Sequence, residues 1–244
     1  MLVWEESHLL RANDFDTYGR IKPSAVLDLF QNAAGAHAKA IGVGFDAMLE
    51  REMLWVLVRV KFRVLQPPTM YSEVTVRTWP LPPAHASYRR ETVMLDAQGR
   101  ELVIGTSEWV FVHVKTRRLV SARDVFPPDA EYETRRVFEE KDRRIPDFDD
   151  PSEPYAVTPA FCDIDVNGHV NNTRYADYVL NALSPSADRE IETFRMEYRR
   201  EVMRNETLFL RWAEQEGQTL VRGESDGGEP RFCCAIAWKN ASPS

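Results

Sequence analysis

The chain has 244 residues, with 31 lysines and arginines against 38 aspartates and glutamates, for a formal net charge of −7. Hydrophobic residues make up 43% and charged residues 28%, which excludes a disordered or collagen-like chain. The longest strongly apolar run, 53–58, falls far short of the roughly 20 residues of a membrane span. The acidic balance argues against general nucleic-acid binding.

The N-terminal MLVWEESHLL places Glu5 and Glu6 where a secretory signal carries positive charge, so a cytoplasmic location is expected. Pro23 suits the first turn of a helix. Val26, Leu29, Phe30, Ala33, Ala34, His37 and Ile41 follow the 3.6-residue period, and Gly42 stops it. The face of this helix is small at 33–36, so another layer can approach closely. Strand-like runs follow at 54–65, 72–79, 87–95 and 101–114, with Ala97-Gln98-Gly99 as a hairpin turn.

The stretch 124–159 then holds six of the 15 prolines and dense charge. Proline removes the backbone donors that a sheet interior needs. A linker is therefore expected at 125–152, with a short helix around 134–141. It would separate an N-terminal unit, 1–124, from a C-terminal one, 153–244. In the second unit Tyr175, Tyr178, Val179, Ala182 and Leu183 repeat the helical spacing and Pro185 ends it. Strand-like runs follow at 191–203, 207–213, 219–224 and 231–239.

The two units are alike. Shifted by 149, residues 14–33 lie on 163–182 without a gap, and Asp14/Asp163, Asp16/Asp165, Gly19/Gly168, Asp28/Asp177, Asn32/Asn181 and Ala33/Ala182 are identical. Gly99 and Trp109 are ten apart, as are Gly228 and Trp238. This order points to an internal duplication. Each copy reads strand, long helix, then about four antiparallel strands. The fold class is α+β, a double hotdog: two tandem repeats, each a helix wrapped by an antiparallel sheet.

The copies diverge at one place. The second reads Asp163-Ile-Asp165-Val-Asn167-Gly-His169-Val-Asn171-Asn172; the first has Tyr18 and Arg20 where the second has Asn167 and His169. On an extended chain Asp165, Asn167 and His169 point to one side. The helix start behind them offers unpaired N–H groups that polarise a carbonyl. Capping and turn chemistry also favour Asp and Asn at such a place, above all for Asp163 and Asn171.

The motif DxDVNxHVNNxxY resembles that of the acyl-acyl-carrier-protein (acyl-ACP) thioesterases of plants and bacteria. Glu197-Tyr-Arg199-Arg200-Glu201-Val202 resembles the strand that follows in the plant members. Gly19-Arg20, the 31–37 stretch, Gly42, Trp55-Val-Leu-Val-Arg59, Thr78-Trp79-Pro80 and Ser107-Glu-Trp109 also resemble the family. The resemblance implies one active site, in the second unit, with Asp165, Asn167, His169 and Glu201 as catalytic residues and no metal or other cofactor. The first unit would supply the acyl-chain pocket, with room at the small helix face.

The implied reaction is water attack on a fatty acyl-ACP thioester, releasing free fatty acid and holo-ACP. Glu201 or His169 would take the proton, Asp165 would orient or charge its partner, and Asn167 would hold water or the carbonyl. Plant members often carry cysteine where Val202 stands, so a thiolate there is unavailable. Cys162 is the only cysteine near the motif, and Cys162, Cys233 and Cys234 form neither a disulfide framework nor a metal-ligand spacing. No G-x-G-x-x-G or Walker sequence calls for a nucleotide. The expected partner is an acidic acyl carrier protein, met by some of the Arg-Arg pairs at 89–90, 117–118, 135–136, 143–144 and 199–200. Neither nucleic acid nor a membrane span is expected, and the chain would act as a monomer or a homodimer. The alternatives are an acyl-CoA thioesterase, a non-catalytic acyl-binding hotdog and a hotdog dehydratase.

Overall fold

The computed structural model describes residues 3–84, 87–121, 125–126, 131–140, 143–149 and 153–241. The first half runs β1 (Trp4–Leu9), α1 (Pro23–Ala40), α2 (Phe45–Glu50), β2 (Met53–Val64), β3 (Glu73–Pro80), β4 (Tyr88–Leu95), β5 (Glu101–His113) and β6 (Leu119–Val120). The second runs β7 (Tyr155–Val157), α3 (Arg174–Leu183), β8 (Arg189–Tyr198), β9 (Leu208–Gln215), β10 (Gln218–Glu224) and β11 (Pro230–Asn240).

These strands form one antiparallel sheet in the order β1-β3-β4-β5-β2-β8-β11-β10-β9-β7, with β6 on the side of β5. Along this path the order is a palindrome: each strand of the first half except β6 has its counterpart in the second. The seam is the β2–β8 pair, running from Arg59↔Glu197 to Arg63↔Thr193. Phe62 and Phe194 face each other there, their rings stacked with centroids 5.3 Å apart. Alternation sets the two faces of the seam. Val60, Phe62, Phe194 and Met196 point inward and are buried. Arg59, Lys61, Arg63 and Arg195 take the other face. This is the double hotdog expected from the repeat. Among the described residues no helix is long and apolar enough to cross a membrane.

α1 begins at Pro23 and ends where the Ile41 N–H reaches the His37 carbonyl at 3.1 Å. Its small face is narrower than the sequence suggests. Ala33 and Ala34 are buried, but Gly35 is exposed. The close approach is made instead by a glycine of the sheet: a Cβ on Gly105 would stand 2.3 Å from Phe30 Cε2. α3 is ten residues long, much shorter than α1, and stops at Ser184 in the left-handed region just before Pro185. The short α2 was not expected. Its signals are an N-terminal Gly44 and Asp46 in the first turn.

The connector departs from expectation. Residues 134–140 form no helix, and Lys141 lies outside the described residues. Partners elsewhere take the polar groups a helix would use. The Val137 N–H donates to Glu91 Oε2 at 2.8 Å, and Trp79 Nε1 donates to the Arg135 carbonyl at 2.9 Å. Phe138 packs with Trp79, Leu81 and Val93, and Lys61 Nζ lies 4.1 Å from its ring centroid. Ile145 is 1% exposed, packed on Leu220, Cys233 and Ala235, while its N–H donates to Glu197 Oε1 at 3.0 Å. Residues 135–138 and 143–148 thus strap the outer face of the sheet, and packing overrides local helix propensity.

Candidate active site

The motif of the second half folds as a tight turn, not as the extended segment expected. Asp165 Oδ1 accepts the Asn167 N–H at 2.8 Å, the Gly168 N–H reaches the Asp165 carbonyl at 3.0 Å, and the Asp165 N–H reaches the His169 carbonyl at 3.0 Å. Gly168, at φ +83°, supplies the left-handed residue that the turn requires. The first half builds the same turn: Asp16 Oδ1 accepts the Tyr18 N–H at 2.8 Å, and the Asp16 N–H reaches the Arg20 carbonyl at 2.8 Å. The repeated aspartate is thus a turn former in both copies, and the side chains at 167 and 169 are what differ.

Those side chains gather on Asp165. Asn167 Nδ2 donates to Asp165 Oδ2 at 3.4 Å, and His169 Nδ1 stands 3.9 Å from Asp165 Oδ1. His169 Nδ1 also lies 3.2 Å from the Val170 carbonyl oxygen. Both neighbours of Nδ1 are acceptors, so in the neutral imidazole the proton sits on Nδ1 and the lone pair on Nε2. In the first half Arg20 occupies the place of His169 and does different work. Its guanidinium donates to the Ser186 carbonyl at 3.4 Å and to that of Ala187, clamping the halves together.

The start of α3 is capped rather than open. Asn171 Oδ1 accepts from the Thr173 N–H at 3.0 Å and its hydroxyl at 2.9 Å, and the Asn171 carbonyl accepts the Arg174 N–H at 3.0 Å. The first donors expected to polarise a carbonyl are therefore already used. Asp163 Oδ2 likewise accepts the Ala160 N–H at 2.8 Å.

Glu201 lies beyond the end of β8, although the strand pattern runs on to Met203. The Arg231 carbonyl takes the N–H groups of both Arg199 and Arg200 and bends the chain away. The bent segment returns to the motif: the Val170 N–H reaches the Val202 carbonyl at 2.9 Å, and His169 bridges Met203. The Glu201 carboxylate itself meets Arg117 of the first half, whose Nη2 is 3.2 Å from each oxygen. Among the described residues no hydrogen bond or ion pair joins that carboxylate to Asp165, Asn167 or His169. Sequence reasoning counted Arg117 among the arginine pairs but gave it no place in the site.

Val202 is fully buried, and its backbone hydrogen-bonds the Tyr175 hydroxyl. Cys162 is exposed. Cys233 and Cys234 are buried, and burial pushes both thiols up. Thiols held this way are poor nucleophiles at neutral pH.

A small cavity of about 20 Å³ lies where the halves meet. Leu27, Phe30 and Gln31 of α1 and Trp109 of β5 form its first-half wall. Asn172, Thr173 and Tyr198 close it from the second half. It sits against the second and third turns of α1, before Ala33, which is fully buried in the core. It is water-sized, and it is not the acyl-chain room expected at 33–36.

Comparison with known proteins assigns both halves to one family. A family model described as the acyl-ACP thioesterase N-terminal domain matches residues 1–126, and its C-terminal counterpart matches residues 149–240. The acyl-[acyl-carrier-protein] hydrolase FATB2, chloroplastic, of Cuphea viscosissima is 29% identical over 251 residues, 93% of this chain and 61% of that protein. The chloroplastic dodecanoyl-[acyl-carrier-protein] hydrolase of Umbellularia californica is 28% identical over 242 residues, covering 93% and 62%. The chain thus spans about three fifths of the length of these curated relatives. The solved 12:0-ACP thioesterase from Umbellularia californica superposes with a TM-score of 0.86 at 26% identity, covering 99% of this chain and 98% of that one. An acyl-ACP thioesterase from Bacteroides thetaiotaomicron shares the fold, with a TM-score of 0.87 at 22% identity over 97% of this chain and 98% of that one. With both halves matched in order, the chain belongs to the acyl-ACP thioesterase family.

Proposed function

We propose that the protein hydrolyses fatty acyl-ACP thioesters to free fatty acid and holo-ACP by general-base attack of water. The observation that carries this reading is the Asp165 carboxylate, with Asn167 and His169 gathered on it in the one copy that has them. Asp165 and the Val170 carbonyl hold the proton on His169 Nδ1, leaving Nε2 to take a proton from water. Asp165 also offsets the charge that then develops on the ring. Asn167 is oriented by the same carboxylate, and Glu201, held by Arg117, adds a second carboxylate beside the motif. A positioned base contributes roughly 10²–10⁴ in rate. The family match and the carrier-protein hydrolases among the relatives support the substrate class.

The test is thiol release from one acyl group carried on ACP and on CoA. Turnover of acyl-ACP at a higher kcat/KM than acyl-CoA is expected. Asp165→Ala and His169→Ala should each lower kcat by about 10²-fold or more. Full activity in both variants would remove the assignment, and a preference for CoA would change the carrier.

A further inference from the structure

The chemistry assigned above comes from the second half, yet the cavity that the residues after the motif, Asn172 and Thr173, help to line has a first-half wall. Gln31 stands in that wall. Its carboxamide oxygen Oε1 is buried and has no hydrogen-bond partner. Buried acceptors are rarely left so, because an unpaired one forfeits its hydration without recompense. A leucine would line the same space at no such penalty. Across the cavity stand Asn172 and Thr173, three and four residues beyond His169, with the Asn172 carbonyl fixed by the Tyr198 hydroxyl at 2.8 Å. The cavity volume, about 20 Å³, admits one water molecule, which needs roughly 10–15 Å³.

We propose that Gln31 is a catalytic residue contributed by the first half, and that its Oε1 accepts a hydrogen bond from the attacking water. The water oxygen attacks the thioester carbonyl carbon while its other proton passes to His169 Nε2. The C–S bond then breaks, and the departing sulfur takes that proton from the imidazolium. The acyl group leaves as the acid and the carrier as the thiol. Gln31 gains and loses no proton; it fixes the direction of the lone pair that attacks. The first half, which has Tyr18 and Arg20 in place of the Asn and His of the motif, thereby takes a share in the reaction. This assignment rests on the thioesterase reading.

The experiment compares wild type, Gln31→Leu, Gln31→Met and Gln31→Glu on one acyl-ACP, measuring kcat, KM and Tm. Gln31→Leu and Gln31→Met are expected to lose about 10²-fold in kcat with KM within threefold, while Tm holds or rises because an unpaired buried oxygen is gone. Gln31→Glu keeps an acceptor and should exceed Gln31→Leu in kcat by tenfold or more. A structural glutamine predicts the opposite, with kcat unchanged at equal Tm in either apolar variant, and that result overturns the proposal. So does a kcat loss that appears only in variants whose Tm has dropped. A wild type that turns over no acyl thioester removes the thioesterase reading itself, and the role of Gln31 with it. An active wild type beside an equally active Gln31→Leu removes the role alone.

Discussion

Arg117 and Glu201 meet across the two halves, one guanidinium nitrogen lying 3.2 Å from each carboxylate oxygen. Arg117 is carried on the turn between β5 and β6 and sits in the left-handed region at φ +55°. That turn is braced by the Lys115 N–H on His113 Nδ1 at 3.2 Å and by the ion pair of Lys115 with Glu52. The first half thus holds a charged partner for a candidate site residue of the second. Arg117→Ala should lower kcat/KM by about tenfold, and Arg117→Lys should recover only part, because a point charge on a flexible stem positions a carboxylate less well. Both side chains are largely exposed, so the pair adds under about 1 kcal/mol to stability and Tm should barely move. A large fall in Tm with kcat/KM retained would make the pair structural instead.

The repeat made the fold legible. Asp14 and Asp163, Asp16 and Asp165, Gly19 and Gly168 are identical because each pair makes the same backbone hydrogen bonds, and two copies of one turn imply two copies of one fold. The alternating Asp165, Asn167 and His169 suggest an extended chain, whereas the glycine three residues after Asp165 is the sign of the turn that forms. The alternation from Ile191 onward shows no break, so the sequence puts Glu201 on a strand. What ends β8 is the carbonyl of Arg231, a residue on another strand. The Arg117 contact spans 84 positions and the Val137–Glu91 contact 46, so no local pattern encodes either. Gln31 was visible as part of a family-like stretch, but only the structure shows that its oxygen lacks a partner.

Asp28 gives a pH-dependent test of how the helices meet. It lies on α1 against the start of α3, and Asp177 is the same position in the repeat. Its carboxyl is held above the usual carboxylate range, first by burial and then by repulsion from Asp177 and Asp14, which outweigh the Thr173 hydrogen bond and Arg174. The folded state therefore holds this proton more tightly than the unfolded chain. The site is least unfavourable at low pH, and its contribution worsens as pH rises from the ordinary value of 3.8 through the folded one. Asp28→Asn keeps a polar partner for the Thr173 hydroxyl and removes the charge. It should raise stability in urea at pH 7, with the gain shrinking toward zero below pH 4. A gain that grows on acidification would contradict this account.

The cysteines separate a thiolate mechanism from water attack. Only Cys162 is exposed, while Cys233 and Cys234 are buried with their thiols pushed up. Iodoacetamide should label Cys162 alone in the native protein, and all three thiols after unfolding. Cys162→Ser should keep kcat within about twofold of wild type, since thiols supply no nucleophile in the proposed reaction. Loss of turnover in that variant, with folding intact, would restore the thiol as a candidate.

Gly105 offers a way to reshape the cavity from behind. It lies on β5 directly under Phe30, and a methyl group there would stand 2.3 Å from the ring and 3.1 Å from the Lys61 carbonyl oxygen. The carbonyl belongs to the β2–β5 ladder and is held in place, so the ring must give way. Phe30 shares the cavity wall with Gln31, so displacing the ring disturbs the space that the proposed water fills. Gly105→Ala should therefore cost about 1–3 kcal/mol as overpacking and lower kcat by about tenfold or more. Rates on one acyl-ACP measured for both proteins well below their Tm, together with urea unfolding, check both parts. An unchanged kcat in a destabilised variant would place the attacking water elsewhere, and an unchanged stability would mean that Phe30 has room to move without strain.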